Sequence, residues 1–196
     1  MNKKLVARLS RWLHIYLSMV SFVIVLFFSV TGLTLNHADY FQRKSTLTES
    51  KGVVDSNWVN AADTLKIQKL PLVEFFRERY KVKGAVADFR IDEQEISFSF
   101  KAPGYQADAF IDRHTAAYTL MQTSQGVMGF VNDLHKGRDT GKVWAWVIDV
   151  SAILMTLISL TGLVLLLFIK KKRMAGIILL VAGALLMYLL YHFWGQ

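Results

Sequence analysis

Three long apolar runs, Trp12 to Leu35, Val143 to Ile169 and Met174 to Trp194, constrain this 196-residue chain more than any other feature. A bilayer core about 30 Å thick takes roughly 20 apolar residues in helical conformation, and each run is long enough. Hydrocarbon offers no hydrogen bonds to an open backbone, so each run is read as a transmembrane helix. With 53% hydrophobic and 13% aromatic residues, the chain is also too apolar for an ordinary soluble domain.

The formal charge of +8 invites a nucleic-acid reading until the charges are placed. Lys3, Lys4, Arg8 and Arg11 precede the first run, and Lys170, Lys171, Lys172 and Arg173 separate the second from the third. Residues 37 to 142 are nearly balanced, with 15 Lys or Arg against 14 Asp or Glu. The excess is therefore a topology signal, and no nucleic-acid partner is expected. Cytoplasmic flanks are rich in Lys and Arg, so the N-terminus and the 170–173 loop are placed inside. Residues 37–142 and the C-terminus, with Tyr188, Tyr191 and Trp194 as an interfacial belt, then fall outside. The first run is about twice a signal-peptide core and Leu33 to Asn36 offers no A-x-A site, so it is read as an uncleaved anchor. The organisation expected is 1–36 (cytoplasmic N-terminus and first span), 37–142 (a small outer α+β domain) and 143–196 (second and third spans).

Within the outer segment, Pro71 suits the first turn of a helix carrying Leu72, Phe75, Phe76 and Tyr80, with Gly84 as its stop. Glu95 to Phe100 alternates with period two, Pro103-Gly104 marks a turn, and Ala107 to Ile111 and Ala117 to Met121 read as further strands. A helix followed by a three- or four-stranded antiparallel sheet is expected. Val127, Phe130, Val131 and Leu134 recur at helical spacing and predict an amphipathic helix ending in the loop 136–141. The absence of cysteine removes disulfides and thiolate metal sites. No phosphate loop, dinucleotide fingerprint, H-E-x-x-H or serine elbow occurs, so hydrolase readings have no residues to rest on.

Two stretches carry a family resemblance. Asn132-Asp133-Leu134-His135-Lys136-Gly137-Arg138 leads into Trp144 to Asp149 and then Ser159-Leu160-Thr161-Gly162-Leu163. Arg11-Trp12-Leu13-His14 opens the first span and Val30-Thr31-Gly32-Leu33-Thr34-Leu35-Asn36-His37 closes it. These segments resemble the PepSY-associated transmembrane helix family, and the helix-plus-sheet core is similar to a PepSY unit. The resemblance implies a bacterial inner-membrane protein with a periplasmic PepSY-like domain. The family includes ferric-siderophore reductases that hold haem b through histidines, which implies a redox role. With three spans and one PepSY-like unit, the chain departs from the longer members.

The five histidines then become the candidates, since ionisable groups in or near a bilayer are costly and tend to be functional. His37 and His135 both belong near the outer interface, where two neutral imidazoles would form an axial pair for haem iron; the bland alternative is interfacial hydrogen bonding. His14, about 35 Å from His37 along a helix, is expected at the cytoplasmic end. There it would ligate a separate haem, completed by a different axial ligand, by a second copy of His14 across a dimer axis or by a partner subunit, or else snorkel to the interface. His192 is a reserve ligand better suited to anchoring, and His114 is read as a turn residue. Arg138, with Lys136 and Lys142, is a candidate for haem propionates or an anionic iron chelate, or simply a solvated basic loop. Asp149, the single acid in any span, is expected to orient a ligand histidine or to bond across helices. Thr31-Gly32 and Thr161-Gly162 are read mainly as helix-packing pairs.

The leading functional expectation is a b-type haem protein passing electrons at or toward the periplasmic face, to ferric iron or a redox partner. The rivals are a cofactor-free, membrane-anchored partner-binding protein and a metal-uptake component whose outer histidines bind iron directly.

Overall fold

The computed structural model describes residues 3–41, 45–60 and 66–195. It contains seven helices and five strands among these residues: α1 (Lys3–Asn36), α2 (Ala38–Phe41), β1 (Thr46–Val53), α3 (Ser56–Val59), α4 (Lys69–Tyr80), β2 (Ala85–Ile91), β3 (Glu95–Ala102), β4 (Tyr105–Asp112), β5 (Ala117–Ser124), α5 (Gly126–Lys136), α6 (Gly141–Phe168) and α7 (Arg173–Trp194). Helices α1, α6 and α7 are long and apolar enough to cross a membrane. At a rise of 1.5 Å per residue, the 34 residues of α1 span about 51 Å, so this helix outruns a bilayer core. Two compact units emerge, one of residues 1–26 with 149–196 and one of residues 27–148.

In the first unit the chain is helical, and its apolar side chains face outward. Val23 is 71% exposed and α7 buries no residue, whereas Ser21 and Ser151 are buried. Among the less exposed positions of α1, Ser10, His14, Leu17, Ser21, Ile24, Phe28, Thr31 and Leu35 recur at alternating intervals of four and three. Trp144, Ile148, Ser151, Met155, Ile158, Gly162 and Leu165 follow the same rhythm along α6. A mean period of 3.5 keeps one seam of each helix on one side. Small residues on such a seam let neighbours approach closely in lipid.

The second unit holds the sheet. Its strand order is β1-β5-β4-β3-β2, all neighbours antiparallel. The sheet therefore has five strands rather than three or four. The unforeseen β1 leaves α3 and α4 between itself and the remaining strands in sequence, yet pairs with β5, from Thr46 opposite Ser124 to Val53 opposite Ala117. The unforeseen β2 pairs with β3 across a register shift between Ala87 and Arg90, where Asp88 has φ +53°. One sheet face buries Ile96, Phe98, Phe100, Ala107, Ala109, Ile111, Tyr118 and Leu120 against Leu72, Val73 and Phe76 of α4. Helix α4 stops at Lys81, which takes the left-handed conformation (φ 53°), rather than at Gly84. Gly84, also at positive φ (+96°), lies where a Cβ would strike the carbonyl of Lys101.

Helix α5 reverses the expected amphipathic reading. Its buried residues are Gly129, Asn132 and Asp133, while Val127 is 74% and Phe130 45% exposed. The polar face is the attached one because it has specific partners. Asp133 Oδ2 accepts from Gly104 N at 2.8 Å, in the β3–β4 turn. Gly104 has φ +65°, and a Cβ there would meet Phe130 N at 2.5 Å, so the turn seats directly on α5. Gly137, at φ 68°, ends α5 and returns its N–H to Leu134 O.

Candidate functional site

His135 lies in the last turn of α5, one helical turn beyond Asn132. Two side-chain rungs fasten this face to the C-terminal part of α1. Thr31 Oγ1 is 2.6 Å from His135 Nδ1, and Thr34 Oγ1 donates to Asn132 Oδ1 at 3.0 Å. The rungs run 31 to 135 and 34 to 132, as antiparallel helices require. The imidazole also meets the edge of Phe28, with centroids 5.2 Å apart, and Gly32 lies beneath its Cε1. Asn132 is 1% exposed, and its Nδ2 has no hydrogen-bond partner among the described residues. Trp144, at the start of α6, donates from Nε1 to Leu134 O at 2.8 Å and packs edge-on to Phe27.

His14 is held in the same manner within the helical unit. Its Nδ1 is 3.2 Å from Thr161 Oγ1 and 3.2 Å from Ile158 O. A Cβ on Gly162 would lie 3.0 Å from the imidazole Cε1. Each of these two histidines thus rests on a Thr-Gly pair of another helix, with Nδ1 on the hydroxyl and Cε1 over the glycine. Among the described residues, Nε2 of neither ring has a hydrogen-bond partner.

The remaining candidates stand apart. His37 occupies the turn between α1 and α2, exposed, its ring 6.1 Å from that of Tyr40. No hydrogen bond or ring contact joins it to His135 among the described residues. His192 stacks on Tyr188 at 5.9 Å, exposed near the end of α7. His114 is exposed in the β4–β5 turn, where its N–H and that of Thr115 donate to Asp112 Oδ1. Those donors, Thr115 first, hold the Asp112 carboxyl below the usual carboxylate range.

Arg138 is committed rather than free. Its Nε donates to Asp133 Oδ1 at 2.9 Å and its Nη2 lies 2.6 Å from the same oxygen. With Asp133 also capping Gly104, this pair braces the α5 terminus against the sheet. Lys136 and Lys142 are exposed. Asp149 is exposed on α6.

The sequence reading took Thr31 and Thr161 as packing residues and so missed their hold on the two imidazoles. The signal was there: Thr31-Gly32-Leu33 and Thr161-Gly162-Leu163 are the same tripeptide, once in each helix.

Three apolar helices joined to a five-stranded antiparallel sheet with two small helices on one face define a membrane protein carrying a compact α+β domain. The family described as Putative PepSY_TM-like matches residues 8–195, and the chain belongs to that family. No match was found among curated proteins or solved structures.

Proposed function

We propose that this chain is a bacterial inner-membrane b-type haem protein that passes electrons at or toward the periplasmic face, to ferric iron, a ferric chelate or a partner redox protein. The carrying observation is the pair of imidazoles, His135 and His14, each tied at Nδ1 and open at Nε2. Such a ring, oriented from behind and bare in front, is what a metal-bound histidine requires.

Haem also suits the donor set better than bare iron. Among the described residues, no three His, Asp or Glu side chains converge. A bare iron ion needs several protein ligands, whereas a porphyrin brings four nitrogens and asks for only one or two imidazoles. Haem b would supply one-electron exchange between ferric and ferrous iron, and the protein would hold and tune it. His135 is the principal ligand, His37 its candidate partner, and His14 the ligand of a second site completed by another copy of the chain or a partner subunit. Lys136, exposed beside His135, is better placed than the Asp133-bound Arg138 to meet a carboxylate. In the positive-inside arrangement His14 lies toward the cytoplasm and the sheet domain in the periplasm.

The two rungs from α5 to α1 favour a second reading, in which His135 is a structural pin and the chain anchors a partner-binding sheet domain without cofactor. Haem quantified per chain in purified protein, His135→Ala and His14→Ala separates the two. The haem reading expects loss of colour at His135→Ala and partial loss at His14→Ala; the pin reading expects no haem in any of them.

A further inference from the structure

We propose that Thr31 is a positioning residue that fixes the tautomer of His135, and that Ile158 O together with Thr161 fixes that of His14, leaving Nε2 of each ring as its open ligand atom; the use of that atom by iron rests on the haem reading above. A threonine hydroxyl has one hydrogen. Thr31 Oγ1 donates to the carbonyl of Phe27, four residues back, at 2.7 Å. With that hydrogen spent, the oxygen meets His135 Nδ1 at 2.6 Å as an acceptor, so the imidazole donates. A neutral ring protonated at Nδ1 carries its lone pair at Nε2.

For His14 the assignment has an independent warrant. Its Nδ1 approaches Ile158 O at 3.2 Å, and a carbonyl oxygen only accepts. Thr161 Oγ1 donates to the same carbonyl at 2.9 Å and so also receives the imidazole N–H. Two separate hydrogen-bond patterns thus give one tautomer. They differ in redundancy: Thr31 is the one hydrogen-bond partner of His135 Nδ1 among the described residues, whereas His14 Nδ1 has two acceptors.

That difference makes the inference testable without haem. The full chain, labelled with ¹⁵N-histidine in detergent above the ordinary imidazole pKa of about 6.5, reports the tautomers by ¹⁵N NMR. Both resonance pairs should show protonated Nδ1 and bare Nε2. Thr31→Val should move His135 toward a tautomer mixture, Thr31→Ser should restore it, and Thr161→Val should leave His14 unchanged through Ile158. A protonated Nε2 on His135 in the unsubstituted chain, or no change in a folded Thr31→Val, would overturn the assignment. If Thr31→Val does not fold, the unsubstituted chain and Thr31→Ser still decide it.

The second readout is titration with ferric protoporphyrin IX. Loss of an outer hydrogen-bond partner to a ligating histidine typically weakens metal binding about 10–100-fold, which is the effect expected of Thr31→Val, with a shifted midpoint potential and recovery in Thr31→Ser. Equal affinity and potential in Thr31→Val and the unsubstituted chain would refute the positioning role. If the tautomers are as assigned but the unsubstituted chain takes up no porphyrin, the haem reading fails and the tautomer assignment stands.

Discussion

The sheet domain and the long helices obey opposite burial rules. Under the sheet, Phe76, Phe98 and Phe100 are buried. Along α1 and α6 the buried set is Ser10, Ser21, Thr31 and Ser151, and most valines and leucines are exposed. The inversion shows two solvents acting on one chain. Water drives apolar surface into a core, whereas lipid gives leucine no reason to hide and leaves close packing and hydrogen bonds to join helices. Helix α5 follows neither rule cleanly, burying Asn132 and Asp133 while exposing Val127 and Phe130.

The largest effect that sharpens this contrast is expected at Phe76, which touches Phe75, Tyr80, Phe98 and Tyr118. Phe76→Ala should cost the sheet domain about 3–5 kcal/mol, measured by denaturant unfolding, while Val23→Ala on the exposed face of α1 should cost far less. An equal loss at both sites would mean that the helical unit has a water-type core. Next comes Asp133→Ala, which leaves the Gly104 N–H without its acceptor and Arg138 without its partner. About 1–3 kcal/mol is expected, with faster hydrogen exchange at Gly104 as the local signature.

A pH dependence tests the sheet core alone. Burial first, then the 2.7 Å hydrogen bond shared with Tyr80, pushes the Tyr118 phenol up to about 12. In the unfolded chain it ionises near 10, so between these values the folded state holds the extra proton and stability falls as pH rises. Tyr118→Phe should flatten that alkaline decline in a thermal-unfolding series. The smallest effect is expected at Ser21, whose buried Oγ has no hydrogen-bond partner among the described residues. Ser21→Ala should be neutral or slightly stabilising, within about 1 kcal/mol, in detergent melting curves. A loss well beyond that would assign the hydroxyl a partner.

How far the sequence anticipated these features follows the same division. Apolar length and flanking charge placed α6, α7 and the end of α1 within two residues, since a membrane span is a one-dimensional pattern, whereas α1 begins at Lys3, well before the apolar run that starts at Trp12. The alternation of Glu95 to Phe100 located β3 because one face of that strand is fully buried. Strand β1 was illegible: at the sheet edge, exposed along most of its length, it carries no alternating apolar signal, and its partner β5 lies some 70 residues away. In α5 the apolar spacing was real but pointed to the wrong face, because Asn132, Asp133 and His135 are attached by particular partners rather than by hydrophobicity. The histidines stood out as candidates by residue type alone. What holds two of them, Thr31 and Thr161 with Ile158 O, depends on which helices meet, and periodicity within one helix does not encode that.

On the proposed function, these oriented imidazoles serve an iron porphyrin. The visible spectrum of the detergent-purified chain from haem-replete cells, oxidised and then dithionite-reduced, tests it most directly. A six-coordinate b-type spectrum that responds to dithionite, with at least one haem per chain, is the predicted result. A colourless preparation that stays colourless after incubation with ferric protoporphyrin IX would contradict it and leave His135 as a pin between α5 and α1.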